Sequence, residues 1–247
     1  MARRRLAAVA ALGLALAPLA ARADAVIADL SSHQIGITTG FNGASVVLFG
    51  ATDGPADVIA VVRGPERELT VWRKGKVAGV WTNAEAETFT NAPSFYAIAA
   101  SRPLDEILSR ASAALHRVGI ENLRFEPRET TTPERAALFA DALVVAQQRA
   151  GLFAVTTGRI AFLGERLFRT TLTFPANVPT GSYLVEVFLV RDKEIVGAQT
   201  TPLVVSKVGV DAAVYEFAHR RALAYGAIAV VMAVMAGWLA SLPFRNA

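Results

Sequence analysis

His33 and His116 are the first residues whose chemistry has to be weighed. They lie far apart in the chain, and neither belongs to an H-x-x-x-H or H-E-x-x-H pair. A zinc site needs three or four N, S or O ligands converging on one point. With no cysteine in the chain and no suitable spacing, no metal is expected. Ser31-Ser32-His33 suggests a nucleophile beside a base. Read as strand, Ser32 and His33 point to opposite faces. Ser31 and His33 then share a face but lack the third group that orients a base, so a strand-edge hydroxyl pair is the expectation. Gly40-Phe41-Asn42-Gly43 and Gly50-Ala51-Thr52-Asp53-Gly54 are glycine-containing loops without the strand-loop-helix setting of a phosphate site. No pair of carboxylates stands in surroundings that would split their pKa values. The reading is therefore a protein with no catalytic residue and no cofactor, an enzyme ranking third among the functions considered.

The densest basic cluster is Arg73, Lys74 and Lys76, flanked by Trp72 and Trp81. Nucleic-acid binding needs a wider basic field with stacking aromatics, and none is expected. Glu68 to Arg73 and Val77 to Thr82 read as strands around a turn at Lys74-Gly75-Lys76. That makes the cluster a hairpin tip: a solvated one, or a docking tip for a partner or for lipid headgroups.

The elements that would hold these residues are mostly strands. Between Val26 and Ala100, apolar runs such as Ala44 to Phe49 and Val58 to Val62 read as central strands covered on both faces, with Gly, Pro and Asn between them. Two amphipathic helices follow. In the first, Leu104, Ile107, Leu108, Ala111, Leu115 and Val118 share a face, and Gly119 stops it. The second starts at Thr132-Pro133-Glu134, turns Leu138, Phe139, Ala142, Leu143 and Ala146 inward, and ends at Gly151. From Phe153 to Ser206 the pattern returns to β. Arg166 to Phe174 and Ser182 to Val190 alternate, Pro175 to Gly181 makes a bend, and Asp192-Lys193-Glu194 turns the chain. Pro179-x-Gly181-x-Tyr183 entering an alternating strand suits an immunoglobulin-like module, with Tyr183 plugging the end of a sandwich. The expected fold is mainly β with a helical insert (α+β): immunoglobulin-like β-sandwich regions, two amphipathic helices and one C-terminal transmembrane helix. Whether the two β regions form one sandwich or two stays open at this level.

That last helix is the run Ala222 to Leu242, twenty-one residues without Asp, Glu, Lys, Arg or His. About 20 apolar residues cross the hydrocarbon core of a bilayer. Ala229, Ala233 and Gly237 recur every fourth residue and form a stripe on which another helix could pack closely. Tyr225 and Trp238 suit the two interfaces, and Arg220 and Arg221 precede the span as headgroup or partner contacts.

At the other end, Arg3-Arg4-Arg5, the apolar Leu6 to Ala17 and Ala21-Arg22-Ala23 have the layout of a secretory signal peptide. The chain carries 25 basic and 21 acidic residues. Removing Arg3, Arg4, Arg5 and Arg22 leaves 21 basic residues against 21 acidic ones, so the high pI implies no nucleic-acid partner. The division expected is 1–23 signal peptide, 24–102 N-terminal β domain, 103–151 helical pair, 152–208 C-terminal β region, 209–221 juxtamembrane segment, 222–242 membrane helix and 243–247 cytoplasmic tail. Arg220 and Arg221 against the lone Arg245 would favour the opposite orientation, but the signal commits the bulk of the chain outward.

Several blocks carry a family resemblance: Asp29-Leu30-Ser31-Ser32-His33, Leu48-Phe49-Gly50-Ala51, Val61-Val62-Arg63-Gly64-Pro65, Trp72-Arg73-Lys74 to Gly79-Val80-Trp81-Thr82-Asn83, and Pro93-Ser94-Phe95-Tyr96 to Ser101-Arg102-Pro103-Leu104. Leu167-Phe168-Arg169, Pro175 to Tyr183, and Leu223-Ala224-Tyr225-Gly226 to Gly237-Trp238 agree with it. Across nearly the whole mature chain the sequence resembles the alphaproteobacterial putative transmembrane protein family. The resemblance implies a one-pass membrane protein, supplies no catalytic residues, and points towards a permease of the sulfite-exporter type as a genomic neighbour.

The expected function is non-catalytic. A periplasmic body is held at the bacterial inner membrane by one span and serves as an accessory or assembly partner of a multi-pass membrane complex such as a transporter. Its partners would be membrane lipid and another integral membrane protein, and a five-residue tail leaves no cytoplasmic domain for signalling. The alternative is a periplasmic module that captures a small ligand between its β regions.

Overall fold

Val58 to Val62 has no polar side chain, and a strand of that kind must be covered on both faces. The computed structural model describes residues 26–77, 79–129, 131–209 and 217–241, and there this run is the centre of β4 (Asp57–Arg63), buried at every position from 58 to 62. Its strand neighbours come from two well separated parts of the chain. The order in the larger sheet is β2 (Gln34–Ile37), β12 (Glu194–Lys207), β11 (Gly181–Arg191), β4, β7 (Tyr96–Ala100) and β8 (Gly158–Arg159). The sheet is mixed, because β2 runs parallel to β12 and β8 parallel to β7. A second sheet orders β1 (Val26–Leu30), β3 (Ala44–Thr52), β10 (Leu167–Phe174) and β9 (Ala161–Leu163), all antiparallel.

The inward faces of these two sheets share one core. Val58, Ala60 and Val62 of β4 and Tyr183, Val185, Val187 and Leu189 of β11 meet Val46, Leu48, Phe168, Leu172 and Phe174 from the smaller sheet. Strands within 26–63 and 96–100 therefore share one sandwich with strands within 158–207: β10 pairs with β3, and β11 with β4. The alternation expected of β10 and β11 holds, and Asp192 and Lys193 turn the chain with positive φ at both, as a two-residue hairpin loop requires. Tyr183 closes one end of the sandwich as expected. It packs on Phe95 and Phe174 and donates its hydroxyl to the Pro179 carbonyl at 2.6 Å. The edge of β1 is closed by a side chain, the Gln199 amide exchanging hydrogen bonds of 2.9 and 2.8 Å with the Ala28 backbone.

The other face of β4 carries Ile59 and Val61. They lie under α1 (Leu104–Ile107) and α2 (Arg110–His116), in a second cluster with Tyr96, Ile107, Leu108, Val118, Phe153 and Phe188. The single helix expected from 104 to 118 is two short ones. Ser109 interrupts it because its hydroxyl accepts from Ser112 N and caps a new helix, a role in which Ser is favoured. The break re-phases the faces, so Leu115 is 78% exposed and Ala111 is also outside, while Ser112 is buried. The helix stops at Arg117 in the left-handed region, ahead of Gly119. The second expected helix is α3 (Pro133–Arg149), capped by Thr132 as read. It buries Phe139 and Leu143, whereas Leu138, Ala142 and Ala146 face outward.

A further correction concerns Ala44 to Phe49. Among the described residues it is covered on one face only, because none of their helices lies over the smaller sheet. Val47 and Phe49 are exposed beside Ile27, Leu163 and Leu167. The third sheet is the ribbon of β5 (Glu66–Val77) and β6 (Val80–Pro93). Its Leu69, Val71, Phe89 and Ala92 pack on Phe139 and Leu143 of α3.

Residues 217–220 are helical, and a turn at Arg221 leads into α4 (Ala222–Ser241). Among the residues described in full, no helix is long and apolar enough to cross a membrane. Side chains of α4 are described over 222–238, roughly 25 Å of helix. The helical backbone runs on to Ser241, bringing the uncharged helix to 20 residues, about 30 Å at 1.5 Å per residue. The signal region 1–23, Leu242 and the tail 243–247 lie outside the described residues.

Gly50 shows how closely the smaller sheet is built. A Cβ there would press on the Ile27 carbonyl oxygen and lie 2.5 Å from Phe168 Cζ. Gly50→Ala is expected to cost about 1–3 kcal/mol, as overpacking of a closed core does. The denaturation midpoint of the full chain in detergent measures it, and an unchanged midpoint would contradict the packing described.

Candidate functional site

Residues 31–33 form a bend between β1 and β2 rather than a strand, so strand alternation does not apply to them. Ser31 Oγ accepts from Val47 N at 3.0 Å, Ser32 Oγ donates to the Gln34 carbonyl at 2.7 Å, and His33 Nε2 meets Asp29 Oδ1 at 2.9 Å. Each hydroxyl thus serves the local backbone. His116 leans on the Phe188 ring at 5.7 Å. Among the described residues no three His, Asp or Glu side chains gather as a metal site would require.

The basic hairpin is present with a different tip. Val77 pairs with Val80, Lys76 with Trp81, Gly75 with Thr82 and Lys74 with Asn83. Lys74-Gly75-Lys76 is therefore strand, and the chain reverses beyond it, before Val80. Gly79 takes φ +87° there, a conformation that favours glycine. Gly75 serves another purpose: a Cβ on it would lie 2.7 Å from the Ala84 Cβ, beside the bulge where the register shifts between Arg73 and Lys74. Residues opposite one another share a face, and positions two apart on a strand do so too. Trp72, Lys74, Lys76 and Trp81 accordingly share one face of the ribbon. Trp72 is 57% and Trp81 67% exposed. Arg73 is on the other face, bonded to Glu85 at 3.1 Å. There Arg135 of α3 meets Glu85 and Glu87 at 3.2 Å each, donates to the Ala86 carbonyl, and lies 5.0 Å from the Phe139 ring centroid. Sequence reasoning missed these contacts of Arg135, because its partners come from a strand far away in the chain.

Sequence reasoning also missed a cleft of about 920 Å³ where the edge pair β7–β8 meets α1, α2 and the turn at Ile120–Asn122. Its walls are apolar at Leu104, Leu108 and Val118 and charged at Arg102, Asp105, Arg110, Glu121 and Arg159. Two anchors, one buried and one half-buried, hold the elements around it. The Tyr96 hydroxyl accepts from Gly119 N at 2.8 Å, and burial pushes that phenol up to about 12. Arg63 Nη2 donates to the carbonyls of His116 and Arg117 at 3.0 and 2.9 Å, completing the end of α2, while its other nitrogen pairs with Glu186. Burial draws that guanidinium below its ordinary value.

At the rim, Ser101 Oγ donates to Asp57 Oδ1 at 2.8 Å, and Arg102 grips the same carboxylate with Nε at 3.0 Å and with Nη2. Ser101 is thus occupied structurally, and among the described residues no imidazole pairs with it. The cleft sets its apolar walls beside charged side chains of both signs.

The sequence-predicted membrane residues are all on or beside α4. Among the described residues a Cβ at Gly226 or Gly237 would meet nothing within 4 Å, so none of them packs on the stripe of Ala229, Ala233 and Gly237 at its glycine. Tyr225 stacks edge-on with Phe217 at 6.4 Å and donates its backbone N–H to the Arg221 carbonyl at 2.9 Å. Arg220 and Arg221 sit at the helix entrance, and Trp238 near its far end is 60% exposed.

A family model described as "Putative transmembrane protein" (Alph_Pro_TM) matches residues 25–246. No curated protein matches the chain.

The Arg102 hydrogen bond holds the Asp57 carboxyl below its ordinary 3.8, against the opposing effect of burial. A group depressed in the folded state contributes stability above its unfolded value and loses it as pH falls through the folded value. Asp57→Asn is therefore expected to lower Tm at neutral pH. Its Tm should converge with wild type as pH drops below 3.8; a difference constant with pH would count against the Arg102–Asp57 grip.

Proposed function

The chain belongs to this transmembrane family, and from that premise we propose that it is an envelope protein moored by α4. The sandwich, held in the periplasm at the bacterial inner membrane, would serve as an accessory or assembly partner of a multi-pass membrane complex such as a transporter. The observation that carries the reading is α4 itself: 20 residues without a charge, with Leu223 92% exposed and Ile228, Val230, Val231, Met232, Val234 and Met235 all open. In water such a surface would be costly at roughly 25 cal/mol per Å²; in lipid it is at home, and its backbone is satisfied internally. Ala229, Ala233 and the open Gly237 offer a neighbouring helix a close approach, which suits lateral association. The corner Tyr183 and the sandwich suit an immunoglobulin-like, non-catalytic ectodomain.

Alkaline carbonate extraction should leave the full chain with the membrane, and a periplasm-dependent reporter fused after Ser206 should be active. Gly237→Leu should weaken co-purification with neighbouring membrane proteins while leaving extraction unchanged. A chain released by carbonate would end the reading.

The cleft beside α1 and α2 favours a second reading, a module binding a small anionic ligand. Screening the full chain in detergent against small organic anions should then raise its Tm, and Arg110→Ala with Arg159→Ala should abolish the rise. If no anion shifts Tm, the accessory reading stands alone.

A further inference from the structure

The outer half of the β5–β6 ribbon is built with two unlike faces. One carries Arg73, Glu85 and Glu87, closed on each other and on Arg135. The other presents Trp72, Lys74, Lys76 and Trp81 to solvent. No carboxylate pairs with Lys74 or Lys76 among the described residues. Glu68, near the base of the same face, is taken by Arg128 at 2.6 Å. What remains is two amphipathic indoles and two ammonium groups with net positive charge. Indoles settle at the headgroup level of a bilayer, and ammonium groups are drawn to anionic lipid.

The root of the ribbon lies where a bilayer would be met. β4 and β12 are both antiparallel to β11, so they run in the same direction and end at the same end of the sheet. From one the chain continues into β5, and from the other towards α4. Pro65, just before β5, is so close to Gly181 that a Cβ there would lie 2.7 Å from the proline ring. Arg67 donates to the Thr180 carbonyl at 2.7 Å. Gly181 in turn pairs with Val205, near the end of β12. At 12 residues, β5 reaches roughly 40 Å from that root.

We infer that the Trp72–Lys74–Lys76–Trp81 face docks on anionic phospholipid headgroups of the membrane that holds α4, fixing the ectodomain's posture on the bilayer. This rests on the moored reading above, and the test separates the two. The full chain is reconstituted into phosphatidylcholine vesicles, and into equimolar phosphatidylcholine–phosphatidylglycerol vesicles, each with and without brominated acyl chains. In Trp238→Phe only the hairpin indoles report. Their emission should shift to the blue and be quenched by bromine in the anionic vesicles, and neither change should occur in pure phosphatidylcholine. Lys74→Glu with Lys76→Glu should reduce that quenching by about ten-fold. In Trp72→Phe with Trp81→Phe, Trp238 should be quenched in both lipids. If Trp238 is quenched while the hairpin indoles stay water-exposed in anionic vesicles, as they would if the face served an acidic protein, the docking inference falls and the mooring stands. Quenching that survives both charge reversals would likewise overturn it. If Trp238 escapes quenching, the mooring fails and takes the inference with it.

Discussion

Five consecutive apolar residues, Val58 to Val62, must be kept from water on two sides at once, and most of the architecture follows from that. A strand with Val58, Ala60 and Val62 on one face and Ile59 and Val61 on the other cannot stand at the surface of a two-layer sandwich. It needs the smaller sheet beneath and a third layer above. The third layer comes from residues that could not form a long helix, Leu104 to His116, and their two short pieces meet the sheet edge imperfectly. The cleft is what that mismatch leaves. Arg63, one residue past the apolar run, closes the end of α2 with two hydrogen bonds, so one strand both demands the helical cover and fastens it.

The ribbon of β5 and β6 obeys a different rule. Its inner part is fixed by apolar contact, Phe89 and Ala92 against Phe139 and Leu143. Its outer part is fixed by Arg135, whose guanidinium is divided among two carboxylates, a carbonyl and an aromatic ring. Drawing Glu85 and Glu87 to one side leaves Trp72, Lys74, Lys76 and Trp81 on the other, with the uncharged Asn83 and Ala86 opposite them. The asymmetry follows from how the helix is held.

Much of this was legible in the residues, and the misses have physical causes. Val58 to Val62 read correctly as doubly covered. Ala44 to Phe49, equally apolar, did not, because coverage depends on what the rest of the chain places outside a strand. The period from Leu104 to Val118 was genuine, yet Ser109 competes for the backbone as a cap and shifts its phase. At the hairpin, the sequence pattern puts the turn at Gly75. Gly75 instead makes room for Ala84, and Gly79 supplies the positive φ. Ala229, Ala233 and Gly237 lie on one helix, which their spacing alone could indicate. The cleft could not be read from spacing, since Arg110 and Arg159 come together only through the pairing of β8 with β7.

The position of β12 has a mechanical side. Among the described residues it is the last strand before α4, yet it lies inside the larger sheet, hydrogen-bonded to β11 along its length and to β2 from Gln34 to Ile37. A pull arriving through residue 209 runs along the strand, while its ladder bonds lie across that direction. Tension from a moving partner would therefore load many bonds together in shear instead of peeling them one by one, and the sandwich can bear force at the point where the chain leaves it.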